Sequence, residues 1–190
     1  MIKGVNIIRG LITKDLANVT FEYLKNKADC HRTLCNTGFI DHTNQLFGQF
    51  GDGQVSNTYA LYGDPFMDTL MKRCKDSIEK NLNLSLVETY SYCRLYKKGS
   101  ELKPHTDRVS SEYATTINLG GDEWPLYIEG EKIVLKPGDA CTITGQELKH
   151  WRNPLEGEMC GQVFFFFSKD KNKKYDKRPH LGLPSVFCEK

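Results

Sequence analysis

The chain has 190 residues, of which 39% are hydrophobic and 26% charged, enough for one globular domain with a sizeable core. A formal net charge of +2 excludes the global polyelectrolyte character that nucleic acid or a membrane surface would call for. Seven cysteines, an odd number with no Cys-x-x-Cys pair, argue against a disulfide framework or a zinc site and for reduced, mostly core thiols.

Taken from the start, MIKGVNIIRG has too short an apolar stretch for a signal peptide, and no run approaches membrane length. The expectation is a cytoplasmic protein. Val5 to Ile12 reads as a short strand broken by Arg9-Gly10. Thr13 then reads as an N-cap, and Leu16, Val19, Phe21, Tyr23 and Leu24 predict a helix to about Lys27. Residues 29–63 are rich in Gly, Asn, Thr and Asp and show no sustained period, which predicts a long irregular connection with one short strand, the kind of segment that forms a binding wall or a packed surface loop. Asp64-Pro65 is a helix start, and Met67, Leu70, Met71, Cys74, Ile78 and Leu82 carry an apolar stripe to about Asn83.

From Leu86 the period changes to two. Strands are predicted at Val87–Tyr96, Tyr113–Leu119, Pro125–Ile128, Glu131–Leu135, Ala140–Thr144, Lys149–Arg152 and Gln162–Ser168, divided by turns bearing Gly or Pro. Many short strands with evenly spaced turns predict a mainly β barrel or jelly roll, with the N-terminal helices buttressing one sheet. The chain divides into a helical buttress and loop region (1–85), a β core (86–168) and a basic tail (169–190). That tail carries six Lys or Arg against two Asp between Ser168 and Arg178, which reads as a solvated terminus.

The chemistry gathers in YCRLYKKGSELKPHTD (Tyr92 to Asp107) and ELKHWRNP around His150. In an extended segment His105 and Asp107 share a face, and His150 on another strand supplies a third ligand. Two histidines and one carboxylate on one face of an octahedron leave three positions open, the arrangement of non-haem Fe(II) oxygenases. The plainer alternative is a polar turn after Pro104 with a surface histidine at 150. Alternation also places Tyr90, Tyr92, Arg94 and Tyr96 on one face of their strand, able to line a polar cavity and donate to a bound anion, or to form exposed aromatic pairs.

The order Tyr-x8-His-x-Asp, a strand with Thr, Pro-Gly-Asp, His-x3-Pro-x2-Gly and a last apolar strand resembles the Fe(II)/2-oxoglutarate-dependent oxygenases, and within them the prolyl-4-hydroxylase-like group with its small phage and bacterial members. The resemblance covers about Leu86 to Ser168. It implies a double-stranded β-helix (jelly roll, cupin-like), Fe(II) held by His105, Asp107 and His150, and 2-oxoglutarate contacted by Tyr96 and by Thr116 or Thr115. It also implies O2 as co-reactant, ascorbate as an accessory reductant, and a C–H bond of a peptidyl prolyl or other protein side chain as the target. Small molecules and nucleobases stay open as substrates, although the basic residues gather in the tail, away from the site, which argues against nucleic acid.

One departure stands out. Such enzymes carry Lys or Arg on the final strand to grip the far carboxylate of 2-oxoglutarate, and Met159 to Ser168 contains neither. Arg152, two residues past His150 on the same inward face, is the expected substitute, with Arg94 second, aided by Tyr92. The missing cation also keeps open a non-catalytic metal- or ligand-binding module of the same architecture. His31, His42 and His180 match nothing in the pattern and read as structural or surface residues.

Overall fold

A computed structural model describes residues 2–170 apart from 45, 57 and 110. The elements in chain order are β1 (Val5–Ile8), α1 (Lys14–Asn36), β2 (Gln49–Phe50), β3 (Thr58–Tyr62), α2 (Pro65–Leu82), β4 (Val87–Lys97), β5 (Leu102–His105), β6 (Tyr113–Gly121), β7 (Leu126–Ile128), β8 (Glu131–Ile133), β9 (Ala140–Thr144), β10 (His150–Arg152) and β11 (Met159–Ser168). Among the described residues the chain is mainly β with two helices. Its strands form two antiparallel sheets, ordered β1-β9-β6-β11-β4-β3-β2 and β5-β10-β7-β8.

Both helices start where the sequence places their caps. The Thr13 hydroxyl accepts the Leu16 N–H, and the Asp64 carboxylate accepts from Phe66 and Met67 ahead of Pro65 at the first turn. The first helix, however, runs to Asn36 rather than Lys27. Its inward stripe continues as Ala28, His31 and Cys35, too small or polar to register as hydrophobic periodicity, while Val19 is exposed. The region read as irregular thus contains the end of α1, β2 and the fully buried β3, whose register against β4 (Thr58 opposite Tyr96, Tyr62 opposite Tyr92) widens the large sheet.

The outer face of the large sheet packs on the helices. Leu24, Ala28, Met67, Met71 and Ile78 meet Cys93, Leu95, Ile117, Val163, Phe165 and Phe167 in one apolar cluster. Each Leu, Ile, Val, Met or Phe among them stabilises the fold by about 1.5–3 kcal/mol when fully buried. The inner face looks toward the small sheet. There Tyr90, Ala114, Cys141, Ile143 and Phe166 join Leu126, Ile128 and Ile133 in a second cluster.

Strand β5 is not among the strands predicted above, although the segment around His105 was read as extended, and Pro104 lies within it. It is tolerated because β5 is the outer strand of its sheet, where a missing N–H breaks no ladder. Pairing of β5 with β10 sets His150 opposite His105 but Arg152 opposite Leu102, a one-residue bulge on the β5 side. Cys35, Cys74, Cys93, Cys141 and Cys160 are buried free thiols and Cys30 an exposed one. Among the described residues no helix is long and apolar enough to cross a membrane. The basic tail falls outside the described residues beyond Asp170.

Candidate metal and cosubstrate centre

The sheets bring His105 and His150 face to face. They are directly paired across β5 and β10, with ring centroids 4.3 Å apart. Each ring is held by its own backbone: His105 Nδ1 donates to the Lys103 carbonyl (2.8 Å) and His150 Nδ1 to the Leu148 carbonyl (2.9 Å). Since a carbonyl only accepts, both protons sit on Nδ1 and both Nε2 lone pairs are left for a ligand bond.

Asp107 completes the set, though not by the strand alternation expected of it, because β5 ends at His105. Its backbone N–H instead donates to the Gly145 carbonyl (2.7 Å), which turns the segment back beneath the histidines. Asp107 Oδ1 then lies 3.8 Å from His105 Nε2 and 3.7 Å from His150 Nε2. The three ligand atoms are all within 4.8 Å of one another. A divalent ion with bonds of about 2.0–2.2 Å fits among them with only a small closing movement. Burial pushes the Asp107 carboxyl up against the pull of His150, His105 and Arg108, and burial lowers the His150 pKa against the pull of Asp107, which keeps the imidazole neutral.

Gly145 matters for a second reason. A Cβ there would sit 2.3 Å from Asp107 Oδ2 and 2.9 Å from the Ser111 carbonyl oxygen. Only glycine lets the backbone stand directly behind the carboxylate. The sequence reading missed this residue, and a glycine ahead of the distal histidine was the only signal available.

The triad opens into a cavity of about 560 Å³ that is also lined by Tyr92, Arg94, Tyr96, Thr116 and Arg152. All five proposed cosubstrate contacts therefore face the same space. Between the two threonines, Thr116 lines the cavity, whereas the Thr115 hydroxyl is taken by Thr142 at 2.7 Å.

The two arginines differ in kind. Arg94 is 6% exposed and forms an ion pair with Asp52, and it also donates to Gln54 Oε1 (2.9 Å) and the Tyr92 hydroxyl (3.2 Å). Arg152 is 3% exposed, stacks 5.0 Å from the Trp124 ring centroid and donates to the Trp124 carbonyl and to Gln162 Oε1. Among the described residues no carboxylate pairs with it. A buried guanidinium with no counter-charge is costly unless an anion joins it. Two residues along β10 separate it from His150, about 6.6 Å of strand, which suits the length of a five-carbon dicarboxylate.

Asp52 and Gln54 were missed because they lie in the stretch read as featureless. Their turn is shaped locally, with Asp52 Oδ1 accepting from the Gln54 and Val55 amides (2.9 and 2.7 Å), and Asp-Gly was its sequence signal. His31 lies away from the cavity, packed on Phe50 and Tyr59, and His42 is exposed.

No protein-family model and no curated protein matches this sequence. Solved structures do match. A Pseudomonas putida prolyl-4-hydroxylase superposes with a TM-score of 0.60 at 16% identity, covering 88% of this chain and 94% of that one. The viral collagen prolyl hydroxylase of Paramecium bursaria Chlorella virus-1, in complex with 2-oxoglutarate, gives 0.61 at 13% identity, covering 87% and 96%. This chain has their fold. Streptomyces hygroscopicus HygX, solved with nickel and 2-oxoglutarate bound, shares it at a TM-score of 0.57 and 12% identity, covering 96% and 91%. At such identities the likeness speaks for architecture, and the chemistry has to be argued from the side chains.

Proposed function

We propose that the chain is an Fe(II)- and 2-oxoglutarate-dependent oxygenase that hydroxylates a C–H bond of its substrate, built on a double-stranded β-helix. The observation that carries this reading is the pairing of an open two-histidine, one-carboxylate set with the uncompensated Arg152 on the same strand and in the same cavity. When bound, iron with 2-oxoglutarate and O2 supplies an oxidant strong enough for C–H chemistry, with succinate and CO2 as co-products, and ascorbate serves as an accessory reductant.

The chain's own residues do the positioning. His105, Asp107 and His150 would hold the ion, and all three line the cavity that would receive the cosubstrate. Arg152 takes the far carboxylate in bidentate fashion, its plane fixed by Trp124 and Gln162. Tyr96 and Thr116 offer hydroxyls along the same path. Apolar walls at Phe164, Phe166, Leu126 and Ile143 limit water around the reacting carbon. Arg152 also supplies the cation whose absence from β11 was the argument for a passive binding module. A peptidyl prolyl or other protein side chain is the first candidate substrate, supported by the prolyl hydroxylases among the fold neighbours.

The test is succinate formation from 2-oxoglutarate by the full chain with added Fe(II), ascorbate and O2. Turnover that disappears in Asp107→Ala supports the proposal. Tight binding of metal and 2-oxoglutarate with no succinate under any substrate supplied would leave the passive module standing instead.

A further inference from the structure

We infer that Arg94 and Tyr92 form a second anion subsite in the cavity, one that takes a carboxylate of the prime substrate and is filled at rest by the protein's own Asp52. The inference rests on the oxygenase reading for what the ligand is, and on geometry for where it sits.

Arg94 and Tyr92 project from the inner face of β4 into the same cavity as the metal ligands. What they hold is a carboxylate: Asp52 Oδ2 accepts from Arg94 Nη2 and from the Tyr92 hydroxyl (2.8 Å). The cradle is thus formed and occupied. Its occupant comes from a turn between β2 and β3, not from a neighbouring strand of the sheet.

Three features make Asp52 a replaceable occupant. The pair is buried on both sides, with 7% and 11% side-chain exposure, and a buried ion pair is a poor device for stability alone because desolvation offsets its attraction. Glycines flank the aspartate: a Cβ built on Gly53 would meet nothing within 4 Å, whereas one on Gly51 (φ 73°) would meet the Ser56 carbonyl oxygen at 2.7 Å, so the open space lies on the Gly53 side of the turn. Val55 is buried with Tyr96, Leu102 and Trp124 and Gly51 donates to the Thr58 carbonyl (2.7 Å), which anchors both ends of the turn, so that release of Asp52 gives up only the local bonds its Oδ1 accepts from the Gln54 and Val55 amides.

Charge conservation sets the ligand class. Exchanging one carboxylate for another leaves Arg94 paired throughout, whereas a neutral or cationic group would strand it. Arg152 is then left for the cosubstrate, and the cavity holds two carboxylate sites with separate duties. Substrates that satisfy this include a free amino acid and a polypeptide with an acidic side chain beside the target.

The experiment uses full-length protein loaded with Mn(II) and N-oxalylglycine, so that the metal and Arg152 are both engaged. Sodium acetate is titrated by calorimetry against chloride at constant ionic strength. Asp52 acts as a tethered competitor at millimolar or higher effective concentration, so Asp52→Asn is expected to tighten acetate binding about tenfold or more. That gain should vanish when Arg94→Gln is added. Asp52→Ala serves as a second variant should the asparagine side chain hold the turn closed.

Equal acetate affinity in wild type and both Asp52 variants overturns the inference. So does a gain that survives Arg94→Gln. Free L-proline and N-acetyl-glutamate amide then compete against acetate as separate arms, distinguishing an amino acid from an acidic peptide; competition by neither also overturns the substrate role. Failure of N-oxalylglycine to bind the Mn(II) protein would instead strike at the oxygenase reading, and the acetate gain would still report on Arg94.

Discussion

Gly145→Ala tests whether the metal set is built by the backbone behind Asp107. The added methyl would lie 2.3 Å from Asp107 Oδ2 and 2.9 Å from both Asp107 Cβ and the Ser111 carbonyl. Ordinary contact needs about 3.5 Å or more, so the carboxylate has to move by roughly 1 Å. Metal–ligand distances tolerate only about 0.2 Å, and Oδ1 is the atom shared by both histidine approaches at 3.8 and 3.7 Å. The expected loss is that of a damaged ligand support, about 10- to 100-fold in affinity, or roughly 1.4–2.8 kcal/mol. Mn(II) titration followed by electron paramagnetic resonance measures it, with thermal unfolding of the metal-free protein run alongside. An unchanged Mn(II) affinity in a folded Gly145→Ala protein would refute the reasoning, because the carboxylate would then have had room to spare.

His105→Ala should abolish high-affinity Mn(II) binding and leave cooperative unfolding of the metal-free protein intact, since His105 contributes little to either apolar cluster; circular dichroism melts check the second half. Arg152→Ala should weaken 2-oxoglutarate binding by about 30-fold or more, the cost of removing one partner of a buried charge pair, while Mn(II) affinity moves far less. Unaltered cosubstrate affinity would transfer the anchoring role to Arg94. His31 supplies a pH prediction independent of the site. Burial lowers its pKa from 6.5, with His42 and Lys27 acting the same way, and neither ring nitrogen has a hydrogen-bond partner among the described residues. A depressed pKa means that the unfolded chain takes up the proton first, so stability is full above about pH 6.5 and declines as pH falls below it. His31→Leu should flatten that decline in melts recorded across the range, and an identical slope in the two proteins would contradict it.

The β core was legible because its chemistry repeats with the strand period. Tyr90, Tyr92, Arg94 and Tyr96 sort inward and Cys93 and Leu95 outward, as alternation requires, and Ser91 duly finds Asp68 of α2 at 2.6 Å, whereas Thr89 is the extra residue of a bulge against β11 and donates its hydroxyl to the Phe166 carbonyl. The helix starts were legible because Thr13 and Asp64-Pro65 are local signals. What escaped was non-local or carried by small residues. The second half of α1 buries Ala28, His31 and Cys35, which no hydrophobic stripe announces. Strand β5 is short and contains Pro104, so only its place at the sheet edge allows it. Convergence of Asp107 on the histidines was expected for the wrong reason, since a hydrogen bond to Gly145 does what strand geometry was assumed to do. Asp52 was invisible as a partner of Arg94 because 42 positions of chain separate them.

The bulge between β5 and β10 has an electrostatic consequence. Regular pairing from His105 and His150 would bring Lys103 directly opposite Arg152, two like charges on one face of a dry wall. The extra residue brings Leu102 there instead and turns the lysine out to solvent. One skipped rung in the ladder thus spares Arg152 a rival cation across the strand, so that whatever anion arrives has a single guanidinium to answer to at that end.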